Sequence, residues 1–191
     1  MTRYDAYLFV HVAATIIWVG SGSLLTVLAY RTERANDEQR IRNLLDDSNA
    51  LGTRLFIPAA LTVVAFGILM VVDGPWTFSY LWIVLGLVGY AATSVTGAFV
   101  IKPWSERIAE LIKREGSVTP AAMAEIRRLL WFGRIDLLTL FLVIFDMAVK
   151  PSGDDTAILV GMALVFLAGA AFVASRIRGV EEAPEPQVAT G

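Results

Sequence analysis

The sequence predicts an all-α, polytopic membrane protein, a bundle of five transmembrane helices. The chain is 56% hydrophobic and only 18% charged, whereas about a quarter of the residues of a soluble domain are charged. Several stretches are also long and apolar enough to cross a hydrocarbon core, which takes about 20 helical residues. These predicted spans are Ala6–Tyr30, Leu55–Val72, Ser79–Ile101, Leu130–Val149 and Thr156–Ser175.

The distribution of Lys and Arg predicts the orientation of these spans. Residues 31–54, residues 102–134 and the chain after Ser175 hold five, seven and two basic residues, whereas the other side has only Arg3 and Lys150. Because cytoplasmic loops carry an excess of Lys and Arg, we expect the N-terminus outside and the C-terminus inside a bacterial inner membrane.

Residues 1–178 are predicted to form a single transmembrane domain. Residues 179–191 contain two prolines and three glutamates, a composition that favours a disordered cytoplasmic tail.

The first span contains His11, the only histidine of the chain. Helical spacing places Ala14, Thr15, Trp18 and Gly22 on the same face as His11. An ionisable residue inside a membrane span indicates a functional site. Three roles for His11 stay open: a structural hydrogen bond to Asp146 or a carbonyl, a haem or metal ligand, and the handling of protons or a small solute.

The second and third spans are joined by a short outer connection. Its turn Asp73-Gly-Pro-Trp76 is typical of a tight loop, and Trp76, Tyr80 and Trp82 form a predicted aromatic belt. On the third span, Gly86, Tyr90, Thr93 and Gly97 share one face. Small residues and hydroxyls of this kind favour close helix packing, with Tyr90 as an alternative site residue.

The fourth span carries a polar stripe. At about 100° per residue, Asp136, Thr139, Val143, Asp146 and Lys150 fall on one side of the helix. Charges at this depth are expensive unless they are paired or face an internal cavity, so the stripe is predicted to face the bundle interior. Asp146 and Lys150 are four residues apart with the acid first, which favours an ion pair, and Asp136, Asp146 and Lys150 alternatively form a proton path.

The cytoplasmic segments are predicted to be amphipathic helices. Residues 38–51 continue the first helix, Pro103 bends or breaks the third, and residues 105–114 and 120–128 form two short helices, with Thr119 capping the second. They either pack beneath the bundle or dock a partner.

Three segments carry a resemblance to known proteins. Tyr7-Leu-Phe-Val-His11, Trp18-Val-Gly-Ser-Gly22 and Asp146-Met-Ala-Val-Lys150-Pro151 resemble a family of uncharacterised bacterial integral membrane proteins, over about Tyr4–Pro151. More remotely, the first helix is similar to HemJ-type protoporphyrinogen oxidases and copper-resistance D proteins. That similarity implies a haem-associated role for His11 and a second functional position at Lys150.

These observations define the expected function. The prediction is a membrane protein with a buried polar site near the outer leaflet, where His11 and Asp146 lie at matching height. A redox module would bind haem b through His11, with Trp18 beside it and Met147 or a second copy of the chain as the other ligand. The alternatives are a proton-linked solute transporter and a scaffold for cytoplasmic partners.

Composition excludes other classes. The chain has no cysteine, which rules out disulfides and thiolate chemistry, and one histidine cannot build a protein metal site by itself. A net charge of −2 gives no support for nucleic-acid binding. The expected partners are the lipid bilayer and a second copy of the chain.

Overall fold

The computed structural model describes residues 2–35 and 37–181, and this part of the chain is helical with no strand. The helices are α1 (Arg3–Ala35), α2 (Glu38–Leu51), α3 (Ile57–Asp73), α4 (Leu81–Thr96), α5 (Lys102–Glu115), α6 (Pro120–Val149) and α7 (Thr156–Glu181). Helix α7 therefore includes the first residues of the expected tail, and the remainder of that tail, residues 182–191, lies outside the described residues.

Four helical stretches of the described chain are long and apolar enough to cross a membrane: Arg3–Thr32, Glu38–Asp73, Leu81–Glu115 and Thr156–Gly179. Large apolar side chains on them are exposed, for example Phe9 at 68% and Phe99 at 75%, an arrangement that suits a lipid environment. Helix α6 is not among the four, since it carries Arg134, Asp136 and Asp146. The predicted helical membrane class is confirmed, and the fifth span is taken up below as a proposal.

Two π-helical turns join apolar helices to amphipathic helices without a break. The first, Gly52–Phe56, links α2 to α3, and the second, Gly97–Ile101, links α4 to α5. Each is followed two residues later by a proline, Pro58 or Pro103. Proline lacks an N–H and clashes with the carbonyl four residues earlier. The wider turn accommodates this, because the residue before each proline donates its N–H five residues back, to Gly52 or Gly97.

A break at Pro103 is therefore wrong, because Leu81–Glu115 runs as one helix, whereas the alternative of a bend there stays a prediction. Residues 120–128 likewise begin the long helix α6 and do not form a separate short one. The cap at Thr119 is confirmed: its Oγ1 accepts a hydrogen bond from the N–H of Ala122 at 3.3 Å.

The amphipathic segments pack beneath the bundle, which is one of the two arrangements predicted for them. Helices α2, α5 and the first turns of α6 share an apolar core whose buried members are Ile41, Leu45, Ile108, Ile112, Ala122, Ile126 and Leu129. We call this the lower core. It is a soluble-type helix packing that lies at one end of the membrane helices.

Helix α6 is the centre of the bundle. It packs against α1, α4, α5 and α7, and α1 packs in turn against α3. A second apolar core joins α1, α3 and α6 through Trp18, Val19, Ala59 and Leu140.

In the connection between α6 and α7, Ser152 donates its N–H and O–H to the Asp155 carboxylate. These hydrogen bonds lower the pKa of the Asp155 carboxyl.

Candidate functional site in the transmembrane bundle

Two glycines of α4 allow α4 and α6 to pack in close contact. A β-carbon on Gly86 would overlap Cε of Met147, and a β-carbon on Gly89 would overlap Cγ2 of Val143. The two backbones approach closely only because neither glycine has a side chain. Val143, Asp146 and Met147 of α6 are thereby packed directly against α4.

Asp146 lies in this contact. Its side chain is buried, with 1% of the residue exposed, and a β-carbon on Gly86 would lie 3.6 Å from Oδ2. Neither carboxyl oxygen of Asp146 has a hydrogen-bond partner within the described part of the chain. A buried polar group without a partner is uncommon and points to a functional role.

Lys150 follows the last residue of α6, and its side chain turns to Trp76 in the α3–α4 connection and Trp82 in the first turn of α4. Its Nζ lies 4.5 Å from the ring centroid of Trp76 and 5.4 Å from that of Trp82. The two indoles meet edge to face at 5.2 Å, and Nε1 of Trp76 donates to the hydroxyl of Tyr4 at 3.3 Å. We call Tyr4, Trp76, Trp82 and Lys150 the outer cluster.

The structure places Asp146 and Lys150 in different environments. The Lys150 ammonium rests on indole rings, and Asp146 forms no ion pair with it among the described residues. Lys150 has a left-handed backbone, φ 54° and ψ 56°, so its side chain leaves the line of the helix. The expected i, i+4 contact therefore does not form, and a joint proton path through these residues stays a prediction.

His11 contacts α3. Its Nδ1 lies 2.8 Å from the carbonyl oxygen of Val63, and a β-carbon on Gly67 would lie 3.3 Å from Cε1. Because a carbonyl only accepts, the ring proton is on Nδ1. Of the two structural partners considered from the sequence, the observed one is a carbonyl and not Asp146.

The other two residues predicted to bind haem, Trp18 and Met147, do not contact the same residues as His11. Trp18 packs edge to face against Tyr90 at 5.7 Å, and Met147 lies on Gly86. His11, Trp18 and Met147 thus contact three different places, and a haem role for His11 stays a prediction.

Asp136 lines a cleft between α4 and α6 that α7 borders through Phe166. The cleft has a volume of about 160 Å³. Its lining residues are Ala92, Thr93, Thr96, Phe132, Ile135, Asp136, Thr139 and Phe166. Asp136 forms no ion pair in the described part of the chain: Lys102 pairs with Glu106 and the Arg134 guanidinium lies 3.7 Å from the Trp131 ring centroid.

Two features of the site are not predicted from the sequence. Thr96 is not among the residues predicted from the sequence, although it lies three residues after Thr93 and so on a similar side of the helix. The contact of Lys150 with Trp76 and Trp82 joins positions that are more than sixty residues apart in the chain, so no local pattern indicates it.

Fold and site together define an integral membrane protein, a helical bundle with acidic side chains on its central helix. The chain belongs to the family described as predicted integral membrane protein (DUF2269), whose model matches residues 6–151. No curated protein matches the chain, and no solved structure matches it. The comparisons therefore support the resemblance to an uncharacterised membrane family and give no support to a likeness to HemJ-type or copper-resistance D proteins.

Proposed function

We propose that this protein is a five-span helical protein of a bacterial inner membrane that conducts protons along α6, linked to the movement of a small solute. Asp146 is the outer proton-binding residue and Asp136 the inner one. The observation that carries the proposal is the buried Asp146 carboxyl without a partner.

The fifth span is supported by what lies at the two ends of α6. Its first turns belong to the lower core with α2 and α5, whereas Lys150, just beyond its last turn, belongs to the outer cluster with residues from α1 and the α3–α4 connection. The membrane stretches of α3 and α4 run between these same two ends. This arrangement supports a course of α6 across the bilayer alongside them, and the excess of Lys and Arg supports a cytoplasmic position of the lower core.

Asp146 is suited to bind and release a proton. An ionised carboxylate that is buried without a partner costs several kcal/mol, so in this packing the side chain holds a proton. Release of that proton requires water, a base or a cation to reach the carboxyl. Protonation of Asp146 is thereby coupled to the opening of the α4–α6 contact.

The two carboxyls are separated by a closed contact. They are ten residues apart, which is about 15 Å along a helix. Val143 lies between them and fills the space above Gly89. A proton that passes from Asp146 to the cleft at Asp136 thus depends on a separation of α4 from α6, which supports gated conduction over an open pore.

Proton flux into liposomes tests this function. Purified protein is reconstituted in vesicles that contain a pH-sensitive dye, and a potassium diffusion potential drives proton entry. We expect protein-dependent acidification that Asp146→Asn abolishes and Asp136→Asn lowers strongly, because an amide does not exchange a proton. Asp154→Asn, on the exposed α6–α7 connection, is the matched control and should conduct like the wild type.

The same assay can overturn the proposal. A wild-type flux no greater than that of empty vesicles, or an unchanged flux in a folded Asp146→Asn protein, would contradict it. Circular dichroism and size-exclusion chromatography establish that each variant is folded.

A further inference from the structure

We infer that the cleft between α4 and α6 binds a small monovalent cation such as Na⁺, held by Asp136 and the threonine hydroxyls around it. The inference deepens the proposed function, on which it rests for the coupling of this cation to protons but not for the binding itself. It names the solute as an inorganic cation.

The size of the cleft suits a hydrated ion. Its volume is about 160 Å³, room for about five water molecules at roughly 30 Å³ each. A small cation therefore enters with part of its hydration shell.

The polarity of the lining favours a cation over an anion. Oγ1 of Thr93 donates to the carbonyl of Tyr90 at 3.0 Å, and Oγ1 of Thr139 donates to the carbonyl of Ile135 at 2.9 Å. A hydroxyl has only one proton to donate, so both oxygens offer only lone pairs to the cleft. These two oxygens and the Asp136 carboxylate are hard oxygen ligands, which suit alkali and alkaline-earth ions.

The charge of the lining sets the charge of the ligand. Asp136 is the only titratable residue among those that line the cleft. Two basic side chains near Asp136 have other partners: Arg134 lies over the Trp131 ring and Lys102 pairs with Glu106. One carboxylate neutralises one positive charge, whereas a divalent ion would leave a net charge within the bilayer, which is expensive.

Equilibrium binding of radioactive Na⁺ to the detergent-purified protein tests the inference. We expect saturable binding that other alkali ions compete for and that choline and Mg²⁺ do not. Asp136→Asn should weaken it by about tenfold or more, because contacts to a charged group contribute more than neutral ones. Thr96→Val, which removes a lining hydroxyl with little change of shape, should weaken binding less.

Asp154→Asn, on the exposed α6–α7 connection, is the matched control and should bind Na⁺ like the wild type. Because Na⁺ binding is measured apart from proton flux, the two proposals can fail separately. Absence of saturable Na⁺ binding, or equal binding by the wild type and folded Asp136→Asn and Thr96→Val proteins, would overturn the cation site without touching the proton pathway. Competition by Mg²⁺ with similar strength would overturn the assignment to a monovalent ion.

Discussion

Lys150 combines backbone strain with a favourable contact of its side chain. It is the only residue other than glycine with a positive φ in the described chain, at 54°, and its ammonium lies over Trp76 and Trp82. A left-handed backbone costs a non-glycine residue roughly 1–2 kcal/mol, while a cation–π contact at an exposed site contributes about 0.5–1 kcal/mol. The contact therefore offsets part of the strain and ties α6 to the α3–α4 connection.

Substitutions at Lys150 separate these two effects. Lys150→Ala loses the ammonium and keeps the strained backbone, so it should lower the free energy of unfolding by about 1 kcal/mol. Lys150→Gly loses the same contact but relieves the strain, and should be more stable than the alanine variant. Thermal unfolding in detergent, followed by circular dichroism, measures both. A glycine variant less stable than the alanine variant would contradict this interpretation.

For single residues, burial is predictable from the sequence, whereas contact partners from distant segments are not. The interior position of Asp146 was predictable from the cost of a charge in lipid, and its burial agrees. The partners of His11 and Lys150 were not, because the Val63 carbonyl and the Trp76 ring belong to distant segments of the chain. Moreover, the ion pair expected of Lys150 assumed a helix that continues through it, whereas the helix ends at Val149.

At the scale of the helices, glycines on α4 set the distance to α6. Gly89 faces Val143 with no room for a β-carbon, whereas Gly20 on α1 has open space around that position. The two positions therefore form a matched pair for the same substitution.

Gly89→Ala should destabilise the bundle by about 1–3 kcal/mol, the usual cost of overpacking. Gly20→Ala should be neutral or slightly stabilising, because alanine favours a helix and meets no neighbour there. Adding Val143→Ala to Gly89→Ala should restore much of the lost stability, since only the Val143 methyl group overlaps. Equal melting temperatures for the two single variants would show that this contact does not hold α4 against α6.

The helices themselves were largely predictable, and their junctions were not. The amphipathic pattern predicts a helix over residues 38–51, and α2 has these same bounds. Thr119 caps α6 as expected. The sequence predicts that Pro103 bends or breaks the helix near Lys102, yet the helix continues through a π turn. Such a turn depends on backbone register and not on hydrophobic pattern, so the pattern does not predict it. The same Gly-to-Pro spacing of six residues occurs at Gly52 and Pro58, so it is a usable signal for such a junction.

At the scale of the whole molecule, the account depends on the course of α6 through the bilayer. If α6 crosses, its two acidic residues lie inside the membrane and the lower core and outer cluster lie on opposite sides. If α6 stays on one side, Asp136 and Asp146 do not lie within the membrane, and both the proton pathway and the cation site are wrong. The chain has no cysteine, so single introduced cysteines can report their own side without background.

Labelling of two such cysteines in spheroplasts with a membrane-impermeant maleimide is the most direct test. Asp154→Cys lies between α6 and α7, and Glu115→Cys lies at the end of α5; both positions are exposed. A crossing α6 predicts that position 154 reacts in intact spheroplasts and that position 115 reacts only after they are permeabilised. Reaction of both positions from the same side would contradict the five-span arrangement and the function built on it.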